Sequence, residues 1–278
     1  MPCYAPFNIP DPKYDNPKIR LEVPCGKCAG CLQSRRDDWT NRLTHEMDAS
    51  SSAHFITLTY AEEYITYGET HQTLVKSDLQ NFFKRLRKRI YPNKIRYYAV
   101  GEYGTTTLRP HYHIILFNLP HNMVDEIQLS WSNGFAQIGT VNRGSIHYVT
   151  KYHVNKNIYP EGSQPSFATM SRKPGLGSNY VRDYATYHDG NINRSYLLHP
   201  GGVKSRLPRY YKDKLYTESE REQIGEIGRD NYNTWSSQLE IDKHYRNNPD
   251  KNFYEYQQEK ILDSIRKYKI KTNQTEKL

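Results

Sequence analysis

The sequence predicts an α+β fold, and three observations carry that expectation. Phe55-Ile56-Thr57-Leu58-Thr59-Tyr60 is rich in β-formers and mixes apolar with hydroxyl residues in the manner of a half-buried strand. Ile95 to Glu102 and His111 to Phe117 read as two more strands, with Gly104-Thr105-Thr106-Thr107 suited to the hairpin loop between them. Between the first strand and that hairpin, Leu79, Phe82, Phe83, Leu86 and Ile90 recur at helical spacing.

Taken in order, residues 1–24 are proline-rich and are expected to form an irregular arm. From Leu32 to Asp48, Leu32, Trp39, Leu43 and Met47 mark one face of a helix, leaving Arg35, Arg36 and Arg42 for solvent or phosphate. After the first strand, Ser77 and Gln80 form a capping-box pattern for the next helix. The other face of that helix is basic: eight Lys or Arg stand against one acid, Asp78, between Lys76 and Arg96. So large an excess favours phosphate contact by Lys84, Arg85, Lys88 and Arg89 over a merely solvated face. Val124 to Trp131 and Ser145 to Asn155 read as further helices. Past Pro160 the chain turns often, at Lys173-Pro174-Gly175-Leu176-Gly177-Ser178 and at Pro208-Arg209-Tyr210-Tyr211. From about Thr217 to Leu278 it is charged and poor in apolar residues, and reads as a polar helical or partly disordered tail.

A net charge of +9 favours a polyanionic partner, because cations placed at phosphates release condensed counterions. Mean hydropathy is −0.91, yet 25 tyrosines supply large rings for a core while their hydroxyls tolerate the surface. No signal-peptide pattern opens the sequence. The longest apolar run, Ile114 to Phe117, is far short of the roughly 20 residues of a membrane span, so a soluble, intracellular chain is expected. In a reducing compartment the four cysteines are better suited to a metal than to disulfides.

The sharpest chemical feature is His111-Tyr112-His113. In a strand, residues two apart share a face, so both imidazoles project together. A histidine pair is often structural, but Glu102 ends the preceding strand at a distance the hairpin can close. Two histidines and one carboxylate leave coordination positions open, as a catalytic metal requires. The second feature is Tyr148-Val149-Thr150-Lys151-Tyr152, which places two phenols one helical turn apart with Lys151 close to both. Three tyrosine pairs have this spacing, so spacing alone means little. A phenol titrates near 10, and Lys151 and Lys156 offer the positive charge that its attack on phosphorus needs. Third, Cys25, Cys28 and Cys31 with Cys3 provide four thiolates, enough for a structural tetrahedral zinc; an iron–sulfur cluster of similar spacing and reduced cysteines in a packed turn are the alternatives.

A histidine–bulky residue–histidine strand, the strand Phe55 to Tyr60 before it and a later Tyr-x-x-Lys helix together resemble the HUH endonucleases. Tyr148-Val-Thr-Lys151-Tyr152 with Asn155-Lys156 looks like the paired-tyrosine motif of replication initiators of the Microviridae. Val23-Pro24-Cys25-Gly26-Lys27-Cys28, Cys31-Leu32, Arg35-Arg36, Trp39, Gly101-Glu102-Tyr103-Gly104 and Arg109-Pro110-His111 resemble their gokushovirus branch. The resemblance implies a central antiparallel sheet of about five strands, with helices over the face opposite the site. It implies a divalent metal, Mg²⁺ or Mn²⁺, on Glu102, His111 and His113, and a tyrosine that cuts origin DNA and keeps its 5′ phosphate. It further implies single-stranded and origin DNA, host helicase and host polymerase as partners, in the cytoplasm of a bacterial host and at no membrane. The expected organisation is a cysteine-containing arm and basic helix over 1–50, a nicking core over 51–160, a turn-rich extension over 161–216 and a polar tail over 217–278. A transposase or relaxase with the same chemistry is the nearest rival, and a non-catalytic, zinc-containing DNA-binding module is the rival from another class.

Overall fold

The computed structural model describes residue 3, residues 5–104, 106–154 and 159–231, and short stretches between 245 and 266. The elements in chain order are β1 (Phe7–Pro10), β2 (Arg20–Val23), α1 (Ala29–Asp48), β3 (Ala53–Tyr60), α2 (Lys76–Arg89), β4 (Arg96–Tyr103) and β5 (Pro110–Phe117). There follow α3 (Asp125–Ser130), β6 (Gly134–Thr140), α4 (Arg143–Val154), β7 (Phe167–Met170) and α5 (Ser178–His188). The described chain continues with β8 (Tyr196–Leu198), β9 (Lys204–Arg206), α6 (Arg209–Leu215) and α7 (Glu218–Asn231). Contacts divide the chain into two units, residues 35–184 and residues 1–34 with 185–278.

The first unit is built on an antiparallel sheet of order β6-β3-β5-β4-β7. Ile56, Leu58 and Tyr60 of β3 share one face with Tyr112, Ile114 and Leu116 of β5, and Leu79, Phe82, Phe83 and Leu86 of α2 pack on them. The alternate residues, Tyr98 and Val100 of β4 with Ile115 and Phe117 of β5, turn the other way and meet Leu43 of α1 and Ile146 and Val149 of α4. Apolar cover on both faces explains why Ile114 to Phe117 is a continuous apolar run and not an alternation. The five-stranded α+β architecture is as expected, with one correction. Helices lie over both faces: α2 and α3 on one, α1 and α4 on the face that carries the histidine pair.

Three local expectations also change. Residues 1–24 are not wholly irregular, since β1 and β2 pair antiparallel with Phe7 opposite Val23. The outer strands β6 and β7 lie in sequence that carried no strand signal. Edge strands bury less, so their apolar alternation is weak. Ser77 does not cap α2. The helix starts at Lys76 after an extended Val75 with no side-chain cap. Its start is held from the sheet instead: Tyr112 Oη donates to the Val75 carbonyl (2.8 Å) and accepts from the Val75 N–H (3.0 Å), while Tyr60 Oη donates to Asp78 (2.9 Å).

The second unit holds the β1–β2 and β8–β9 pairs with α6 and α7. Thr217 and Glu220 form a capping box at the start of α7, with Thr217 N–H donating to Glu220 (2.7 Å) and Glu220 N–H to Thr217 Oγ1 (3.3 Å). The expected polar tail therefore begins as helix. Among the described residues, no helix is long and apolar enough to cross a membrane.

Candidate active site

Register brings the predicted carboxylate and imidazoles together. Glu102 of β4 lies directly opposite His111 of β5, and Val100 opposite His113, so all three polar side chains emerge on one face. Glu102 Oε1 lies 2.8 Å from His111 Nε2 and 3.1 Å from His113 Nε2. One donor atom from each residue falls within 4.8 Å of the others. The second oxygen of Glu102 is buried and makes no hydrogen bond.

The imidazoles are oriented from behind. The Arg109 carbonyl can only accept, so its contact with His111 Nδ1 (3.1 Å) puts the ring proton there and leaves Nε2 turned on the carboxylate. His113 Nδ1 is likewise held, 3.0 Å from Thr57 Oγ1. A lone pair facing a carboxylate oxygen at 2.8 Å needs positive charge between them, either a second proton on the ring or a shared cation. The two rings differ in how readily they take that proton. Burial pulls the pKa of His111 down, but the hydrogen bond and charge of Glu102, with the Arg109 carbonyl, outweigh it and the net shift is upward. For His113 burial wins over Glu102, the charge of His111 adds to it, and the shift is downward. Two imidazole nitrogens, a carboxylate oxygen without a hydrogen bond and fixed outer partners fit a divalent cation.

Helix α4 carries the predicted tyrosines. The ring of Tyr148 meets that of His113 edge-on, with centroids 5.2 Å apart, and Phe55 stacks on His113 from another side at 5.5 Å. Tyr148 is half-buried and Lys151, on the next turn, is buried. Tyr152 follows on the same helix, one turn on from Tyr148. Lys156 lies outside the described residues.

The predicted basic residues of α2 are not at this site. Lys84, Lys88 and Arg89 are exposed on α2, which crosses the opposite face of the sheet, and Arg89 pairs with Glu126 (3.2 Å). Arg85 is half-buried and donates to the Ser130 carbonyl (2.8 Å). Arg35 is exposed. Arg36 is not open to solvent as expected: it is 7% exposed, because it falls on the buried side of α1. Residues that sequence reasoning passed over are Thr57 and Phe55. Their signal was period two in β3, which puts them on the face of the histidines.

In the other unit, Cys3, Cys25, Cys28 and Cys31 converge with sulfurs within 4.8 Å and no disulfide. Backbone N–H groups of Lys27 (3.5 Å) and Cys28 (3.3 Å) point at Cys25 Sγ and hold its thiol below the usual range. Burial pushes Cys31 up to about 12. Thiolates on a tetrahedron with zinc–sulfur bonds of about 2.3 Å stand roughly 3.8 Å apart. The sulfurs of Cys3 and Cys28 are 3.8 Å apart, so the cluster fits a metal of that kind.

Residues 53–157 match the family model of replication-associated protein ORF2/G2P, a span that runs from β3 to just past α4. The chain is 27% identical to replication-associated protein VP4 of Bdellovibrio phage phiMH2K, over 76% of this chain and 75% of that one. It is 32% identical to replication-associated protein ORF2 of Spiroplasma virus 4, over 74% and 72% respectively. Among solved structures, the hypothetical protein ORF119 of Sulfolobus islandicus rod-shaped virus 1 is 20% identical over 45% of this chain and 99% of that one, with a TM-score of 0.30. With a relative 32% identical across most of both sequences, and a family model spanning the Glu102–His111–His113 cluster and α4, the chain belongs to the replication-associated proteins of Microviridae-type phages.

Proposed function

We propose that this chain initiates rolling-circle replication of a small single-stranded DNA genome by cutting and rejoining its origin through a phosphotyrosine. The observation that carries the reading is the ring of Tyr148 set against His113, whose Nε2 lies 3.1 Å from Glu102. When bound by Glu102, His111 and His113, a divalent cation such as Mg²⁺ or Mn²⁺ supplies Lewis acidity to a phosphoryl oxygen. The Tyr148 oxygen forms a bond to phosphorus, and the bond from phosphorus to the 3′ oxygen breaks. That oxygen leaves as a 3′ hydroxyl while the 5′ phosphate stays on the tyrosine. Lys151, with Lys156, stabilises the phenolate and the phosphate. Tyr152 performs the second cut after a round of synthesis, and the released 3′ hydroxyl attacks the first phosphotyrosine to close the circle. Phosphodiester energy is kept throughout, so no nucleotide cofactor is needed.

Family membership favours this role over a relaxase or transposase. Host polymerase and helicase in the bacterial cytoplasm then extend the 3′ hydroxyl and unwind the duplex. The test is incubation of the full chain with single-stranded origin DNA and Mg²⁺ or Mn²⁺. A protein–DNA band that survives denaturation supports the reading, and its absence leaves a DNA-binding module.

The exposed cations of α2 are a proposed contact for duplex flanking the cut. Replacing Lys84, Lys88 and Arg89 with Gln should flatten the salt dependence of duplex binding by about 0.9 in log–log slope for each lost phosphate contact. An unchanged slope would leave that face to solvent; Arg85 and the buried Arg36 are expected to matter for packing instead.

The four cysteines are proposed to hold one structural zinc. Thiols must lose protons to bind it, so zinc added to metal-free protein should release protons as it binds. Cys28→Ser should lose the zinc and lower the unfolding temperature while adduct formation survives at reduced level. Purified chain with no bound metal and four reactive thiols would defeat this.

A further inference from the structure

Phe135 is 69% exposed on the same face of the sheet as the metal ligands. It pairs across β6 and β3 with Thr59, Thr59 pairs with His111, and His111 with Glu102, so one row of side chains runs from Phe135 to the candidate metal site. Two strand spacings put its Cα about 10 Å from that of His111. Gln137 and Gly139, next along the same face of β6, are exposed too, and a Cβ built on Gly139 meets nothing within 4 Å. Among the described residues of this unit, this end of the face is exposed.

A single exposed phenylalanine is ordinary on a protein surface. What sets this one apart is how firmly its backbone is held. On the inner side it is paired with β3. Outside, the Gln128 side chain clamps both neighbours, donating to the Gly134 carbonyl (3.1 Å) and accepting from the Ala136 N–H (2.8 Å). Gly134 has φ +154°, and a Cβ there would fall 2.2 Å from the Thr59 carbonyl oxygen, so only glycine fits where the chain enters the strand against β3. The result is an exposed aromatic ring carried on a firmly held backbone beside the candidate metal site. Tyr67 and Tyr91 are comparably exposed, but neither belongs to this sheet.

We propose that Phe135 is a stacking platform for a nucleobase of the single strand whose scissile phosphate enters the Glu102–His111–His113 site, which rests on the nicking reading above. An aromatic face accepts any base, so the platform positions the strand more than it reads sequence. Its effect lies in strand binding and therefore does not require the metal.

The experiment measures binding of the full chain, in EDTA, to an oligothymidylate and to an abasic strand of equal length and charge. Wild type is expected to prefer the strand with bases. Phe135→Ala should lose roughly 5- to 150-fold on oligothymidylate, the worth of one aromatic–base stack, and nothing on the abasic strand. Phe135→Trp should keep wild-type affinity, and Gln128→Ala should lose part of the preference by loosening the ring. Equal losses on both strands, or no loss on either, would overturn the proposal. So would a change in oligomeric state with unchanged DNA binding, which would give Phe135 to a second copy of the chain. An adduct formed normally by wild type with no base preference sinks the platform alone. A base preference that depends on Phe135, without any adduct, sinks the nicking reading alone.

Discussion

Tyr148→Phe is expected to reduce the first covalent protein–DNA adduct by at least about a thousandfold, the scale on which loss of an attacking group is felt. The substitution removes one oxygen and keeps the ring that packs edge-on against His113 and touches Phe55, so folding and strand binding should persist. Tyr152→Phe should behave differently. It should cut and hold the DNA but fail to complete and circularise the unit, because the second phenol is missing. The double variant should form no adduct. Lys151 is buried, and Lys151→Ala should slow both cuts without changing which tyrosine is labelled. Mass spectrometry of the trapped peptide decides: a nucleotide on neither tyrosine, or an adduct from the double variant, ends the assignment.

The second large effect is expected at the histidines. His113→Ala removes one imidazole from the cluster and should lower Mn²⁺ affinity, read by titration calorimetry, by more than the 10- to 100-fold that loss of an outer partner costs. Nicking should fall with it, while binding to single-stranded DNA in EDTA stays near wild type. Thr57→Val tests the outer partner itself. All three ligands remain, but the hydroxyl 3.0 Å from His113 Nδ1 is gone. Its metal affinity should fall by about 10- to 100-fold, and Thr57→Ser should restore it. Mn²⁺ bound as tightly by His113→Ala as by wild type would remove Glu102, His111 and His113 as the metal site.

Much of the site is legible without coordinates because strands impose period two. His111 and His113 must share a face, and a short hairpin must return near Glu102, so their convergence follows from local rules. The α4 spacing of Tyr148 and Tyr152 is local in the same sense. What failed was the reading of surfaces and edges. The arginine stretch of α1 gave Arg35 and Arg36 equal standing, yet one is exposed and one buried, because only the packing partner decides which side of a helix faces inward. The capping pattern at Ser77 lost to a tyrosine hydroxyl from β5 that no local window contains. Strands β6 and β7 went unseen because an edge strand is stabilised by its neighbour's backbone more than by its own apolar residues.

By itself, then, the sequence determines the class of fold, the core strands, the cluster of one carboxylate and two imidazoles, and the tyrosine helix, all consequences of spacing along one segment. Tertiary structure alone decides that α4 lies over the histidine face so that Tyr148 touches His113, and that the basic helix α2 lies on the other. It also decides that Phe135 stands open beside the site. These are relations between segments far apart in the chain, settled by which apolar faces can be buried together.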